Sequence, residues 1–399
     1  MSGTSAIPLP SVRPEGRPFD PPDAFHRLRA EEPLRKVSLP DGSALWLVSR
    51  DRDVRRVLVD RRFGTARTPD LLRPAGPDLE ARRVGNLLRL DPPEHTRVRR
   101  LLVDAFTPSR IRGMRADLER TVSDALDALE RMRPPVDLVA HFTLPVPSLA
   151  ICALLGVPYA DREGFQRRTT TLLDFARPTE QVAAAAAEAH AYMADLVARE
   201  RKRPGDGLLG SLVREHADTL TDAELIGLAN HLLEAGHETV AAMLSLGTFL
   251  LLHEPEAADR LRDTEDPTSI ADAMEELLRY LSVIPYGLPR TALTDVVIGD
   301  HTIAAGDHIV VSLASANRDE AVHDRPDRFD PDRRPTPHLA FGHGTHHCLG
   351  AQLARMQLGI AIPALLRRFP TLSCAVPPER VRLRASSAVY GVAELPVTW

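Results

Sequence analysis

The sequence is short of cysteine, of surplus positive charge and of long apolar runs, and each shortage argues against a class of protein. Its three cysteines, Cys152, Cys348 and Cys374, cannot all pair, so we do not expect a disulfide-stabilised secreted fold. The formal net charge is −5, whereas binding to nucleic acid needs a basic surplus, so we expect no nucleic-acid partner. The cysteine content indicates a protein of a reducing compartment.

Membrane-directed segments are also missing. The longest apolar stretch, Val240 to Leu252, is shorter than the roughly 20 residues that a membrane-spanning helix requires. The first residues contain no basic segment followed by an apolar core, so they do not resemble a signal peptide. We therefore expect a cytoplasmic protein with no membrane anchor.

The distribution of proline along the sequence indicates a single segment boundary. Several of the 34 prolines crowd into residues 1–22, and the others are scattered. The remaining sequence contains no repeat or linker-like tract, although its length would allow two or three domains. We therefore predict an extended, proline-rich N-terminal arm at 1–22 and a single domain over 23–399.

The hydrophobic pattern predicts a fold that is mainly α with small β-sheets. Apolar residues recur on one helical face in many segments, for example across 118–129. Two strand-like runs, 37–39 and 44–48, flank a Pro-Asp-Gly-Ser turn, and a second strand pair within 296–303 bends at Gly299.

A long central helix is predicted from Thr221 to about His253. Thr221 and Glu224 can form a capping box, and Pro255 disfavours helical geometry in the residue before it. At ~1.5 Å per residue, a helix of this length would cross most of a domain. We therefore expect it in the middle of the core.

Within this helix, residues 235–239 read Ala-Gly-His-Glu-Thr. A glycine such as Gly236 costs roughly 1 kcal/mol in a helix interior, and a buried carboxylate at Glu238 needs a partner. A local distortion that frees a backbone carbonyl and the Thr239 hydroxyl would explain both features. The alternative is a regular helix in which the glycine serves packing.

Residues 341–350 read Phe-Gly-His-Gly-Thr-His-His-Cys-Leu-Gly and precede an apolar helix. A thiolate at Cys348 would be stabilised by the free N–H groups and the dipole of that helix, so this sulfur is a candidate metal ligand. A buried, inert cysteine is the alternative. The neighbouring His343 and His347 suggest zinc, but a structural zinc ion takes four ligands and this loop has one cysteine.

Two further pairs each share a helical face. Glu276 and Arg279 are three residues apart and can form an ion pair, which is usually a weak surface pair. His95 and Arg99 are four residues apart. Their spacing indicates either a solvated basic face or a site for a carboxylate ligand.

These motifs resemble those of the cytochrome P450 family. The loop at 341–350 matches the family's haem-binding pattern F-G-x-G-x-H-x-C-x-G, and 235–239 matches its oxygen-activating pattern A-G-x-[D/E]-T. The pair Glu276 and Arg279 resembles the family's E-x-x-R motif, and the segment 95–99 its H-x-x-x-R helix. The four motifs occur in the family's order. The resemblance implies a single-domain cytochrome P450 fold shaped as a triangular prism.

The same resemblance implies roles for the matched residues. Cys348 would be the axial ligand of a haem b iron, and Glu238 and Thr239 would relay protons to dioxygen. Contacts to the haem and its propionates are implied for His95, Arg99, Arg290, His346, Phe341, Gly342 and Gly350.

A structural triad is also implied. Glu276 and Arg279 would be buried and joined by Arg328, and the three would hold the cysteine loop in place. In the helix that follows the loop, Pro363 is expected to introduce a kink or to end the first helical segment.

The activity implied by the resemblance is that of a monooxygenase, which inserts one oxygen atom from O2 into a lipophilic small molecule by hydroxylation or epoxidation. Segments such as 144–161 resemble soluble actinobacterial members, which modify polyketides, macrolides, terpenoids or foreign compounds. A peroxide-driven peroxygenase, an enzyme of oxidative C–C or C–O coupling and a non-catalytic haem sensor stay open as alternatives. Residues expected to line the substrate pocket lie in 65–90 and 165–192 and include Leu88, Leu232, Ala235, Ile284 and Val389.

Electrons are expected to come from outside this chain. No segment resembles a flavin or nicotinamide domain, so the resemblance implies a ferredoxin and a ferredoxin reductase that carry electrons from NAD(P)H. The protein itself is expected to be a monomer. Positive charge for docking the ferredoxin is expected from Arg97, Arg100, Arg110 and Arg112.

Overall fold

The computed structural model describes residues 6–69, 83–216 and 218–399. Over these residues the helices are α1 (Ala24–Glu31), α2 (Asp51–Val59), α3 (Glu94–Val103), α4 (Pro108–Gly113), α5 (Arg115–Glu130), α6 (Pro145–Leu155), α7 (Arg162–Leu173), α8 (Thr179–Lys202), α9 (Leu208–His216), α10 (Asp222–Leu251), α11 (Pro255–Asp263), α12 (Pro267–Leu281), α13 (Leu313–Ala316) and α14 (Ala351–Arg368). The strands are β1 (Ile7–Pro8), β2 (Leu34–Ser38), β3 (Ala44–Val48), β4 (Phe63–Gly64), β5 (Val136–Asp137), β6 (Arg290–Ala292), β7 (Val296–Ile298), β8 (His301–Ile303), β9 (His308–Val311), β10 (Ser373–Cys374), β11 (Arg382–Leu383), β12 (Val392–Glu394) and β13 (Pro396–Thr398). The fold is mainly α with small β-sheets, as predicted.

The chain divides into two compact units. Unit 1 comprises Met1–Ala75 and Glu275–Cys348, and unit 2 comprises Gly76–Met274 and Leu349–Trp399. Unit 1 is built on a six-stranded sheet with the order β1-β2-β3-β9-β6-β4. Unit 2 contains most of the long helices, together with a three-stranded sheet of order β10-β13-β5 and the pair β11-β12.

In unit 1 the predicted hairpins are present. Strands β2 and β3 pair antiparallel around the turn at 39–43, with Val37 opposite Leu45. Strands β7 and β8 form the second hairpin, and Gly299 adopts a positive φ of 57° at its bend, which a glycine tolerates without strain. In the described part of the N-terminal arm, strand β1 pairs parallel with β2, and two turns follow at 14–17 and 17–20.

Helix α10 is the central element of unit 2. Thr221 and Glu224 form the predicted capping box, in which the Thr221 hydroxyl accepts from the Glu224 backbone N–H and the Glu224 carboxylate accepts from the Thr221 backbone N–H. Every residue from 240 to 251 is buried. This burial explains why the helix is apolar on all sides over that stretch.

Gly236 does not mark a distortion of α10, which runs unbroken through 235–239. The predicted distortion is therefore wrong, and the packing alternative accounts for the glycine. A Cβ at this position would lie 2.5 Å from Ile151 Cδ1 on α6, closer than atoms can approach. Glycine at 236 thus lets α10 and α6 pack closely, and this packing offsets the cost of glycine in the helix.

Two further sequence expectations concern helices of unit 2. Pro363 lies inside α14, and the helix continues past it to Arg368, so this proline does not end the helix. Among the described residues, no single helix combines the length and apolar composition needed to cross a membrane. Within the described residues, the helix pair α10 and α11 meets the criteria of length and apolar composition when taken together, but the two helices are bent by 113° relative to each other.

Candidate active site

The cysteine loop of unit 1 is a tight turn whose geometry depends on glycine. The Cys348 backbone N–H donates to the Phe341 carbonyl over 2.9 Å, which closes the loop, and the Cys348 side chain is exposed. Gly342 and Gly344 have positive φ values of 70° and 71°. A side chain on Gly344 would also approach Leu58 O within 2.9 Å, so this backbone favours glycine at both positions.

The predicted ion pair between Glu276 and Arg279 is confirmed. Arg279 Nε donates to Glu276 Oε2 over 2.7 Å and Arg279 Nη2 donates to Glu276 Oε1 over 2.8 Å. Both side chains are almost completely buried, with relative exposures of 2% and 1%. Breaking a bidentate and desolvated pair of this kind costs more stability than breaking a surface pair, because a buried charge is left without its partner.

The third arginine of this cluster is Arg333, and the expectation of Arg328 is wrong. Arg333 Nε lies 3.0 Å from Glu276 Oε2. Residue Arg328 is exposed and contributes only its backbone carbonyl, which accepts from Arg279 and Arg333. The chain turns after Phe329, which places the side chain at 333 toward the buried carboxylate.

A chain of hydrogen bonds links this cluster to the cysteine loop. Arg279 Nη1 donates to the Asn317 carbonyl over 2.8 Å, and the Asn317 side chain accepts from the Leu339 backbone N–H over 2.6 Å. The Leu339 carbonyl in turn accepts from the backbone N–H of Gly342. Asn317 is fully buried, and no local sequence pattern pointed to it.

In unit 2, Glu238 is a fully buried carboxylate with two partners that the sequence did not reveal. Arg384 Nη1 donates to Glu238 Oε2 over 2.5 Å, and the Thr170 hydroxyl donates to Glu238 Oε1 over 3.1 Å. Arg384 follows β11, and Thr170 lies on α7. An ion pair to arginine is what a carboxylate needs in order to remain charged in such a place.

Thr239 lies next to Glu238 on α10. Its hydroxyl donates to the Ala235 carbonyl over 2.9 Å, so the prediction of a free hydroxyl is wrong for this structure. Ala235 is exposed although it lies in the middle of the helix. The acid and the alcohol are therefore adjacent, and the alcohol lies beside an open surface of α10.

Basic residues expected at a haem rim occur in both units. In unit 2, His95 is buried on α3, and burial together with the charge of Arg99 lowers the pKa of His95. In unit 1, Arg290 is buried on β6, where it donates to the Phe63 carbonyl over 3.4 Å, and His346 is half-buried in the cysteine loop.

Within unit 1, the side chains of Cys348, Arg290 and His346 are of the kinds that bind a haem. One exposed thiol, Cys348, precedes α14, and a thiolate is an established axial ligand of haem iron. The glycines of its loop keep side chains away from the turn. Guanidinium and imidazole groups are the donors that bind carboxylates such as haem propionates.

The expected substrate-lining residues differ in exposure. In unit 2, Leu232 and Val389 are buried, whereas Ala235 and Leu88 are exposed. In unit 1, Ile284 is half-buried. Part of the expected wall at 65–90, from 70 to 82, lies outside the described residues.

One of the four arginines expected to dock a ferredoxin is already paired. Arg97 contacts the carboxylates of Glu94 and Glu224, so its charge is largely compensated. The other three are exposed on α3 and α4, namely Arg100, Arg110 and Arg112.

Comparisons with known proteins agree on one family. The family model described as Cytochrome P450 matches residues 268–385. Cytochrome P450 FAS1 of Rhodococcoides fascians is 44% identical, with 100% of both chains covered. Pentalenic acid synthase of Streptomyces avermitilis is 43% identical, with 100% of this chain and 99% of the relative covered. The crystal structure of CYP105P1 in complex with filipin I matches with a TM-score of 0.92 and 38% identity, covering 99% of each chain.

These relatives are similar over their full length, and they are similar in fold as well as in sequence. Family membership brings with it haem-thiolate iron and the use of O2. This chain therefore belongs to the cytochrome P450 family and is a cytochrome P450 monooxygenase.

Proposed function

We propose that this monooxygenase inserts one oxygen atom from O2 into a lipophilic natural product of the polyketide, macrolide or terpenoid type, by hydroxylation or epoxidation. The observation that carries the proposal is the buried carboxylate of Glu238, held by Arg384 beside the Thr239 hydroxyl. A haem carrier or sensor would gain nothing from a buried charge of this kind, which costs stability unless it is paired. The names of the relatives, one a pentalenic acid synthase and one bound to filipin I, support the substrate class.

Cys348 is proposed as the residue that would hold the iron of haem b through its thiolate. Phe341, Gly342 and Gly350 shape the loop that carries it. The propionates are assigned to the remaining basic residues, His95, Arg99, Arg290 and His346. When bound, the haem supplies the redox chemistry that activates O2, and the thiolate donates the electron density that favours O–O cleavage.

Glu238 and Thr239 are proposed to move protons. Glu238 can accept a proton when its hydrogen bonds to Arg384 and Thr170 exchange for solvent, and it then holds an acidic proton within a buried site. The Thr239 hydroxyl can exchange its present acceptor, the Ala235 carbonyl, for a reacting oxygen. Neither movement requires α10 to unwind.

The substrate contacts proposed here are mainly apolar. Leu232 and Ala235 are three residues apart and so lie on one face of α10, and Val389 lies in the loop that follows β11. Leu88 and Ile284 complete the set. We propose that residues 23–399 form one catalytic domain and that the protein acts as a monomer.

Electrons are proposed to come from NAD(P)H through a ferredoxin reductase and a ferredoxin. Arg100, Arg110 and Arg112 offer exposed positive charge for an acidic ferredoxin. The rate of reduction by ferredoxin should fall as ionic strength rises, because salt screens this attraction. A rate that does not depend on salt would remove the docking proposal.

The experiment that tests the function begins with a spectral titration of the ferric protein against macrolides, terpenoids and aromatic polyketides. With the tightest ligand, Thr239→Ala should keep consuming NADPH while it releases peroxide in place of product. Thr248→Ala, on the buried part of α10, serves as a control. An unchanged product yield from Thr239→Ala would favour the peroxide-driven alternative.

A product that contains no oxygen atom from labelled O2 would favour oxidative coupling. In that case the residues named above would still serve the reaction, but the substrate would leave with a new C–C or C–O bond. Mass spectrometry of the product separates the two outcomes.

A further inference from the structure

His237 is a buried imidazole with one ring nitrogen paired and the other facing the acid. Its Nδ1 lies 2.6 Å from the Leu233 carbonyl. A carbonyl only accepts, so Nδ1 must carry the hydrogen of the neutral ring. This leaves Nε2 as a bare acceptor that has no hydrogen-bond partner among the described residues, 3.9 Å from Glu238 Oε1.

We propose that His237 Nε2 stores a proton for Glu238. In the loaded state Nε2 carries a proton and the ring is an imidazolium. Once the two side chains move from 3.9 Å to hydrogen-bond distance, that proton passes to Glu238 Oε1, so that Glu238 becomes a carboxylic acid and His237 returns to its neutral form. His237 affects the reaction only through Glu238, so it is a positioning residue and not a catalytic residue. This inference rests on the proposed function.

The stoichiometry of the reaction gives such a store a purpose. Monooxygenation consumes two protons and two electrons for each O2, since one oxygen atom enters the product and the other leaves as water. Glu238 alone can hold one proton at a time. Burial lowers the pKa of the ring, so the fraction of molecules in which His237 is loaded grows as the pH falls, and in these molecules two protons are available without a new exchange with solvent.

The surroundings of His237 favour release of the proton rather than its retention. The ring is fully buried and packs edge-on against Phe165 of α7 at a centroid distance of 5.3 Å. Burial lowers the pKa of His237, the charge of Glu238 raises it in part, and Arg384 lowers it further. Among the described residues, the charges that act on the pKa of the ring are those of Glu238 and Arg384.

A direct test follows the ring nitrogens of His237 by histidine-selective NMR. The sample is the ferrous carbon monoxide form of the holoenzyme, which is diamagnetic, and His237→Gln assigns the signal. We expect the neutral Nδ1–H tautomer at neutral pH and a titration on the acid side of pH 6.5. Glu238→Gln should move that titration to still lower pH. An Nε2–H tautomer, or a titration that ignores Glu238→Gln, would overturn the proposal.

A second test uses coupled turnover with the ligand found by titration. His237→Gln can keep a donor for the Leu233 carbonyl but cannot carry a proton. On the acid side of pH 6.5, where the wild-type ring is loaded, product formed per NADPH should fall by up to roughly a hundredfold, and its rise toward acid pH should disappear. The matched control is His253→Gln, because His253 Nδ1 makes the same bond to the carbonyl four residues before it. If His237→Gln formed as much product per NADPH as the wild type, with the same pH profile, the proposal would be wrong. If Thr239→Ala instead formed product with an unchanged yield, the proposed function would be wrong, whereas the NMR result on His237 would still hold.

Discussion

Arg384 Nη1 lies 2.5 Å from Glu238 Oε2, although the two residues are 146 positions apart in the sequence. Glu238 has no measurable exposure, whereas the Arg384 side chain keeps 19%. The arginine therefore has access to solvent and the carboxylate does not. Arg384 Nη2 also reaches Thr170 Oγ1 over 3.4 Å, so one guanidinium joins α7, α10 and the segment after β11.

Removing this arginine should destabilise the protein. Arg384→Gln leaves a buried carboxylate without its counter-charge, and we expect the free energy of unfolding to fall by about 3–5 kcal/mol. The double variant Arg384→Gln with Glu238→Gln should recover most of that loss, because no buried charge is left. Unfolding in urea measures both changes. Arg382→Gln, which breaks an exposed pair with Glu394, is the control and should change little.

The two arginines near the E-x-x-R pair should behave differently. Arg333→Ala removes a cation that lies 3.0 Å from the buried Glu276, so it should lower the stability of unit 1 and the retention of haem by the cysteine loop. Arg328→Ala removes an exposed side chain and leaves its backbone carbonyl in place. Haem content after gel filtration compares the two variants. Equal losses would contradict the assignment of Arg333.

Local sequence patterns were sufficient to predict the secondary-structure elements, but they did not predict which residues the site residues contact over long sequence distances. The β2–β3 hairpin and the capping box of α10 depend on residues a few positions apart, so their turn and capping residues identified them. The pair Glu276 and Arg279 is three positions apart on one helix and was equally visible.

Contacts over long sequence distances were out of reach of the same reasoning. The need of Glu238 for a partner was evident, but nothing near Arg384 distinguishes it from the other arginines. The family resemblance points to Arg328, but the turn of the chain after it brings Arg333 to the carboxylate of Glu276 instead. The role of Gly236 likewise depends on Ile151, which belongs to another helix.

Gly236→Ala should show that this glycine serves packing. The added methyl group would overlap Ile151 Cδ1 at 2.5 Å, and such overpacking costs about 1–3 kcal/mol, more than the gain of about 1 kcal/mol from the higher helix propensity of alanine. Gly236→Ala combined with Ile151→Val removes the overlapping Cδ1 atom and should restore part of the stability. Thermal unfolding of the three variants, with Ile151→Val alone as reference, measures the effect. A fully stable Gly236→Ala protein would mean that α6 yields easily.

Acid should destabilise the protein through histidines that are buried in the neutral form. His323 is 1% exposed, and its Nδ1 lies 2.7 Å from Thr336 Oγ1. Burial, followed by the charges of Arg279 and Arg333, lowers the pKa of His323 from 6.5 to about 3. Burial also lowers the pKa of His231, to about 4.

The sign of the effect follows from proton uptake. Between pH 6.5 and about 3 the unfolded chain binds a proton at His323 that the folded protein does not bind, so the free energy of unfolding falls as the pH decreases through this range. Above pH 6.5 this contribution is complete and constant. His323→Gln should therefore flatten part of the decline between pH 6.5 and about 5, before most carboxylates titrate, and His231 should account for a further part. Urea unfolding at a series of pH values measures the slope, with the exposed His190→Gln as control. A slope in His323→Gln as steep as that of the control would mean that His323 takes up its proton in the folded protein as readily as in the unfolded chain.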